Sequence, residues 1–312
     1  MSAAGGLLIV DKPAGLTSHD VVARVRRLAA TRRVGHAGTL DPAATGVLVL
    51  GIDKATKLLG HLALTDKDYT ATIRLGLSTT TDDAQGEPVT DTGIATSAAA
   101  EHTARALAAI TDTDLRAAIT TLTGTIAQVP SSVSAIKVGG QRAYARVRAG
   151  EHVDLTAREV TVSVFDLVST DQPSPQLLDL AVQVTCTSGT YIRALARDLG
   201  AILGVGGHLT ELRRTRVGPY SLSAATRLAD LPTPGAGDLP LIDLAAAVDG
   251  SFPRLDVDAD TARAVGFGQP VPAPAAAPAV PHGVFGPDGE LLALMEPDAG
   301  LLRSLVVFAA RS

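Results

Sequence analysis

Residues 35–46 read GHAGTLDPAATG and leave the backbone few choices. Gly35, Gly38 and Gly46 permit tight turns or a close approach to a ligand. Pro42 fixes its own φ, lacks an amide donor, and drives Asp41 toward an extended conformation. Asp41 is therefore expected at a stiff corner rather than inside a helix. The next four residues, Val47, Leu48, Val49 and Leu50, read as a buried strand. A carboxylate held on a rigid loop against such a strand suits a nucleophile. It equally suits a turn aspartate bonded to its own backbone, and the stretch alone leaves both readings open.

Ahead of this loop, residues 6–10 read as a strand and residues 11–15 as its turn. Thr17 and Asp20 have the spacing of a capping box, which starts a helix near Ser18. Its buried stripe is Val21, Val22, Val25, Leu28 and Ala29. Arg24 and Arg27 face elsewhere, and with Arg26, Arg32 and Arg33 they place five arginines within ten residues. Such a cluster fits a phosphate track or a solvated helix face. Arg213, Arg214 and Arg216 cluster again.

Farther along, residues 55–64 read as a short helix. Tyr69 opens a strand and shares its face with Ala71, Ile73 and Leu75. Residues 79–93 are polar, acidic and interrupted by Gly and Pro, which predicts a mobile surface loop. Residues 97–109 read as a helix or an inserted linker, and residues 114–122 as a helix burying Leu115, Ala118, Ile119 and Leu122. Residues 128–151 mix Pro, Ser and Gly with Lys137, Arg142, Arg146 and Arg148, an excursion of the kind that is functional or disordered. Leu178, Leu180, Val182, Val184 and Cys186 alternate with mainly polar neighbours and define a half-buried strand. Cys186 is then a small core residue. Ser188, Gly189 and Thr190 turn the chain and are placed to cap the next helix, whose stripe is Ile192, Leu195, Ala196, Leu199 and Leu203. Tyr191 and Arg193 fall in its first turn. A cation opposes the helix dipole there, which fits an anionic partner or a plain surface arginine.

Past Pro219, Ala, Pro and Gly accumulate. Residues 283–285, 291–295 and 301–308 read as short strands, with Pro287-Asp288-Gly289 as a hairpin turn. The expected division is a first domain at 1–250, with the excursion at about 128–151 inserted in it, and a small β-rich domain at 251–312. Hydrophobic residues make up 46% of the chain, enough for an extensive core. One cysteine among 312 residues excludes an internal disulfide framework and fits a reducing, cytoplasmic setting. The N-terminus lacks the basic region of a signal peptide, and no apolar run suffices to span a bilayer. The net charge of −5 argues weakly against nucleic acid. Local arginine clusters argue the other way. The histidines lack metal-ligand spacing, and no glycine-rich phosphate loop is present.

The loop at 35–46 resembles the catalytic loop of the TruB-type tRNA pseudouridine synthases. Other blocks resemble that family in the same order: Leu8-Ile9-Val10-Asp11-Lys12-Pro13, Lys67-Asp68-Tyr69, Val129-Pro130-Ser131 with Ser134-Ala135-Ile136-Lys137, Ser188-Gly189-Thr190-Tyr191-Ile192-Arg193, and Leu212-Arg213-Arg214. The resemblance covers most of residues 6–220. It implies an α/β (α+β) catalytic domain around a mixed, largely antiparallel sheet, followed by a small PUA-like RNA-binding domain, with residues 128–151 as a thumb-like insertion over the RNA.

The activity implied is conversion of uridine to pseudouridine at position 55 of the tRNA T-loop, on a flipped-out base and without cofactor or metal. By the same resemblance Asp41 is the nucleophile, Arg193 its ionic partner, and Tyr69 the ring that stacks on the base and handles the C5 proton. Tyr191 and Leu212 line the uracil pocket, His36 fills the space left by the flipped nucleotide, and Lys12 belongs to the substrate-binding set. Arg146, Arg148, Arg213 and Arg214 are candidate contacts to the RNA backbone. The expected partner is the tRNA T stem-loop, bound by a monomer with no obligate protein partner and no membrane. Two other readings stand beside this one: an RNA-binding folding aid without catalysis, and an aspartate-dependent hydrolase of a small molecule.

Overall fold

The computed structural model describes residues 5–89, 97–131, 137–138, 141–142, 155–233, 238–274 and 278–309. Their contacts fall into two compact units. The first comprises Met1–Pro42, Gly46–Ala63 and Val217–Ser312, and the second Ala43–Thr45 and Leu64–Arg216. The secondary structure is mixed α/β, largely antiparallel in its sheets and β-rich at the C-terminal end.

In the first unit, β1 (Gly5–Lys12) is buried almost throughout, as its unbroken apolar run requires. Helix α1 (Ser18–Leu28) begins where the capping box predicts. Thr17 accepts from the Asp20 amide at 3.1 Å, and the Asp20 carboxylate accepts from the Thr17 amide at 2.9 Å. Val21, Val22 and Val25 are buried, while Arg24, Arg26 and Arg27 are exposed near the C-terminal end, where cations suit the helix dipole. Strand β2 (Val34–Ala37) pairs antiparallel with β3 (Thr45–Asp53), and β3 pairs antiparallel with β1. The predicted helix after β3 is a 3-10 segment, Lys54–Leu58, followed by a single α-turn at Leu59–Leu62.

The second unit is an antiparallel sheet with helices. Strand β4 (Lys67–Leu75) alternates strictly, burying Lys67, Tyr69, Ala71, Ile73 and Leu75. Helix α2 (Ser97–Ala109) settles the Ala/Thr-rich stretch as helix. Helix α3 (Asp112–Thr121) starts on a second capping box, between Thr111 and Asp114. Then come β5 (Gly124–Gln128), the long β6 (Arg158–Ser174), β7 (Leu177–Cys186), α4 (Ile192–Ile202) and β8 (Gly207–Val217). The strand order is β8-β4-β7-β6-β5. Arg74 lies opposite Asp179 and holds it bidentately at 2.7 Å through both Nε and Nη2. The buried face gathers Tyr69, Ile73, Val182, Val184, Cys186, Ile192, Leu195 and Leu199 into one core, with Leu212 packed against it. Burial pushes the Cys186 thiol up to about 11, as expected of an inert core residue rather than a nucleophile.

The C-terminal part of the first unit contributes α5 (Leu244–Asp249), β9 (Arg254–Asp256), α6 (Ala259–Gly266), β10 (Val271–Pro272), β11 (His282–Phe285), β12 (Leu291–Asp298) and β13 (Leu301–Val307). The sheet order is β9-β11-β12-β13-β10. The three strands expected from sequence are present, and the predicted hairpin turn holds Gly289 at φ 77°. Sequence reading missed α6 and the two short edge strands. One of those, β10, lies at the start of residues 270–281, a stretch of nearly all Pro, Ala and Val. Leu7, Ile9, Val47 and Val49 share a core with Phe285, Leu294 and Phe308. Truncating a fully buried Leu294 in such a core costs ~2–5 kcal/mol.

Candidate active site

The loop between β2 and β3 is fastened on both sides of Asp41. The Ser18 hydroxyl, at the start of α1, accepts from the Leu40 amide at 2.9 Å and donates to the Leu40 carbonyl at 3.2 Å. On the other side, the Pro42 carbonyl accepts from the Gly15 amide at 2.8 Å and from Lys12 Nζ at 3.2 Å. Lys12 Nζ also donates to the carbonyls of Pro13 and Leu16, and the side chain is fully buried. Its ammonium therefore ties the turn after β1 to the Asp41 loop. Gly38 at φ 85° and Gly46 at φ 101° make the two bends that let the loop leave and rejoin the sheet. Asp41 itself is half-buried. His36, in β2, meets the exposed ring of His19 edge-on at 5.5 Å between centroids.

In the second unit, Tyr69 is 8% exposed on the core face of β4, and Leu212 packs against the same cluster. Arg193 is buried in the first turn of α4, so it is not a surface arginine. Its Nη1 donates to the Thr81 carbonyl at 3.0 Å and lies 3.6 Å from the Asp83 carboxylate. Asp83 in turn accepts from Thr81 Oγ1 at 2.5 Å and from the Gln85 amide at 3.0 Å. Asp82 accepts from Ser131 Oγ at 2.7 Å and pairs with Arg197 at 3.3 Å. Burial pushes the Asp82 carboxyl above its usual range, against the pull of Ser131 and Arg197.

Within the predicted surface loop, residues 79–89 are only partly solvent-facing, and residues 90–93 lie outside the described residues. Asp82 and Asp83 turn inward onto the arginines of α4, and Thr79 and Asp82 are buried, while Glu87 stays exposed. The expected helix cap is corrected. Thr190 Oγ1 donates to the Thr187 carbonyl inside the turn, and Tyr191 is the N-cap without any side-chain cap of its own. Its amide is instead served by Gln128, which sequence reading did not single out.

Lys67, two residues before Tyr69 on the same face, is buried as the alternation of β4 requires. It is 6% exposed and donates to the Thr65 carbonyl at 2.7 Å. Burial, helped by the nearby charge of Arg214, pushes its ammonium down to about 8. Arg214 is 1% exposed, so its guanidinium belongs to the interior and not to an external phosphate track. Arg213 is half-buried, with Nη1 3.2 Å from Thr45 Oγ1. Arg216 is held bidentately by Asp68 at 2.6 and 2.7 Å. Burial raises the Asp68 carboxyl, but the hydrogen bonds from Arg216 and Thr185 outweigh it and leave the group below the usual carboxylate range. Arg146 and Arg148 lie outside the described residues. Among the described residues, no group of three or more His, Cys, Asp or Glu is arranged to hold a metal ion. No described helix is long and apolar enough to cross a membrane.

Residues 26–192 match the model of the TruB family pseudouridylate synthase N-terminal domain. The chain belongs to the TruB family of pseudouridylate synthases. Further matches are to the tRNA pseudouridylate synthase B C-terminal domain at residues 193–233 and to tRNA pseudouridine synthase II, C terminal, at residues 252–309. The tRNA pseudouridine synthase B of Thermobifida fusca is 55% identical over 98% of this chain and 99% of its own. That of Streptomyces griseus subsp. griseus is 53% identical over 97% of each. Among solved structures, one of a Cbf5-Nop10-Gar1 complex superposes with a TM-score of 0.71 at 23% identity, over 97% of this chain and 85% of that one. This last likeness speaks to the fold alone. As a TruB-family member the chain is an isomerase of the pseudouridine synthase class.

Proposed function

We propose that this enzyme acts on tRNA, converting the uridine at position 55 of the T-loop to pseudouridine, with Asp41 as nucleophile on a flipped-out base. The observation that carries the reading is the double fastening of Leu40 and Pro42, which fixes the Asp41 backbone on both flanks. A nucleophile held in this way has little to gain from further ordering when substrate arrives. A carboxylate also suits a reaction in which the nucleophile must leave again.

The reaction breaks the C1′–N1 bond of uridine, whose N1 takes up a proton, turns the freed uracil, joins C1′ to C5, and releases the C5 proton. In this reading Tyr69 stacks on the extruded base and handles that proton. Flipping costs a few kcal/mol, and aromatic stacking returns ~1–3 kcal/mol. In this reading Arg193 is the ionic partner of the Asp41 carboxylate. Tyr191 and Leu212 line the uracil, and His36 takes the place vacated in the loop. Lys12, with its ammonium on three carbonyls, serves substrate binding by shaping the Asp41 loop. The segment from residue 252 is proposed as an RNA-binding module after a catalytic portion ending near residue 250. The enzyme is proposed to work alone, as a cytoplasmic monomer, on the tRNA T stem-loop.

Tritium release from a T-loop stem-loop labelled at uridine C5 tests this directly. Stoichiometric release by the wild-type protein supports it. Tight RNA binding with no release supports the folding-aid reading instead.

A further inference from the structure

The helix that carries Tyr191 and Arg193 starts without a cap of its own. Tyr191 is the N-cap of α4, in extended conformation at φ −105°, and no local side chain satisfies its amide. An N-cap residue is the loosest point of a helix, because its amide and the next three have no partner inside the helix. Here the partner arrives from 63 residues away. Gln128, the last residue of β5, is 2% exposed. Its Oε1 accepts from the Tyr191 amide at 2.8 Å, and its Nε2 donates to the Tyr191 carbonyl at 3.1 Å. A carboxamide offers a donor and an acceptor side by side, and this one reads both backbone groups of a single residue. The Tyr191 carbonyl also accepts the Leu195 amide at 3.2 Å, the first bond of the helix. The fixing is reinforced next door, where Arg197 Nη2 donates to the Val129 carbonyl at 2.8 Å.

We propose that Gln128 is a positioning residue for the isomerisation: its carboxamide clamps the Tyr191 backbone and so aims the Tyr191 ring and the Arg193 guanidinium. The inference rests on the proposed roles of Tyr191 and Arg193 at the base and at Asp41. Gln128 is buried and acts through the Tyr191 backbone, so its loss acts on the chemical step more than on RNA affinity. Misplacement of reacting groups by a fraction of an ångström to an ångström is enough to cost a large factor in rate.

The test uses the full chain and a T-loop stem-loop RNA. Gln128→Ala is expected to slow single-turnover release at saturating RNA by about tenfold or more, while the Kd for RNA stays within about threefold. Gln128→Glu supplies the sharper readout. The introduced carboxyl, when ionised, has no proton to give the Tyr191 carbonyl, whereas its protonated form donates and accepts as the carboxamide does. Burial raises a carboxyl pKa toward the assay range. The rate of Gln128→Glu relative to wild type should therefore climb as pH falls from about 8 to about 6. Asp82, Arg193, Arg197 and Asp198, the charged groups around this end of α4, are present in both proteins, so their direct effects on rate cancel in the ratio; on the introduced carboxyl the guanidiniums act downward and the carboxylates upward. A wild-type rate in Gln128→Ala overturns the proposal, and so does a pH-independent ratio for Gln128→Glu. A wild-type enzyme that releases no tritium overturns the functional reading itself, a result separable from either.

Discussion

The Ser18 hydroxyl and the Leu40 peptide are bonded in both directions, amide to oxygen at 2.9 Å and hydroxyl to carbonyl at 3.2 Å. Ser18 is 1% exposed and Leu40 is 3% exposed. One small side chain thus joins the first residue of α1 to the residue before Asp41. Ser18→Ala would leave both peptide groups of Leu40 buried without that partner, at ~1–3 kcal/mol for each group so stranded. The expected result is a stability loss of roughly 2–6 kcal/mol in urea titration and a slower single-turnover rate, since the Asp41 backbone loses one of its two anchors. Full rate in a destabilised variant would show that the anchor serves the fold and not the site.

Asp41→Asn is expected to abolish turnover while leaving RNA affinity largely intact. The amide cannot attack C1′ or C6 as a carboxylate does. Single-turnover kinetics decide the matter. A variant retaining even a tenth of the wild-type rate has lost only ~1.4 kcal/mol of transition-state stabilisation, far too little for a missing nucleophile.

Lys67 gives a stability prediction with a defined sign. Burial and the Arg214 charge lower its folded-state pKa from 10.5 to about 8. Between those values the unfolded chain holds a proton that the native chain has released. Unfolding free energy due to this group therefore rises with pH across the window, by at most ~1.4 kcal/mol per pH unit. Below pH 8 the penalty is present in full. Lys67→Met removes it, so the wild type should gain on the variant as pH is raised from about 7 to about 10. Cys186, which burial pushes up in the fold, costs stability at the alkaline end in both proteins alike and largely drops out of the comparison. Urea titrations of the pair at several pH values are the measurement, and parallel curves would contradict it.

What the sequence revealed follows the range of the physics involved. Period-two alternation placed Tyr69 and Cys186 on a buried face, because side-chain direction in a strand is set locally. Two capping boxes act over three residues, and the one at Thr17 was legible. The inward turn of Asp82 and Asp83 was not, because the composition of their segment is that of a solvated loop and only Arg193 and Arg197, more than a hundred residues later, draw these two carboxylates inward. Gln128 was invisible for the same reason: nothing near it in the chain signals that Tyr191 needs its amide. In the arginine cluster after β8's midpoint, no local signal separates buried Arg214 from half-buried Arg213 and Arg216, or shows that Asp68 has already claimed Arg216.

That difference among arginines sharpens the prediction for RNA affinity. Arg24 and Arg27 are exposed on α1, placed to meet phosphates despite the net charge of −5. Arg216 is already neutralised by its bidentate carboxylate. If about four phosphates are neutralised, log K should fall against log salt with a slope near −3, at ~0.7 per phosphate for single-stranded regions and somewhat more for duplex. Replacing Arg24 and Arg27 together with alanine should flatten that slope by roughly one to two and weaken binding, with little effect on the rate at saturating RNA. The Arg146/Arg148 double replacement is expected to act in the same direction. Arg216→Ala should leave the slope unchanged, because the charge it removes is one that Asp68 had cancelled. Affinities over a salt series for the wild type and these three variants provide the check. A slope unaltered in the Arg24/Arg27 variant would make α1 a solvated face with no part in gripping RNA, and a slope altered by Arg216→Ala would mean that its ion pair opens when the RNA binds.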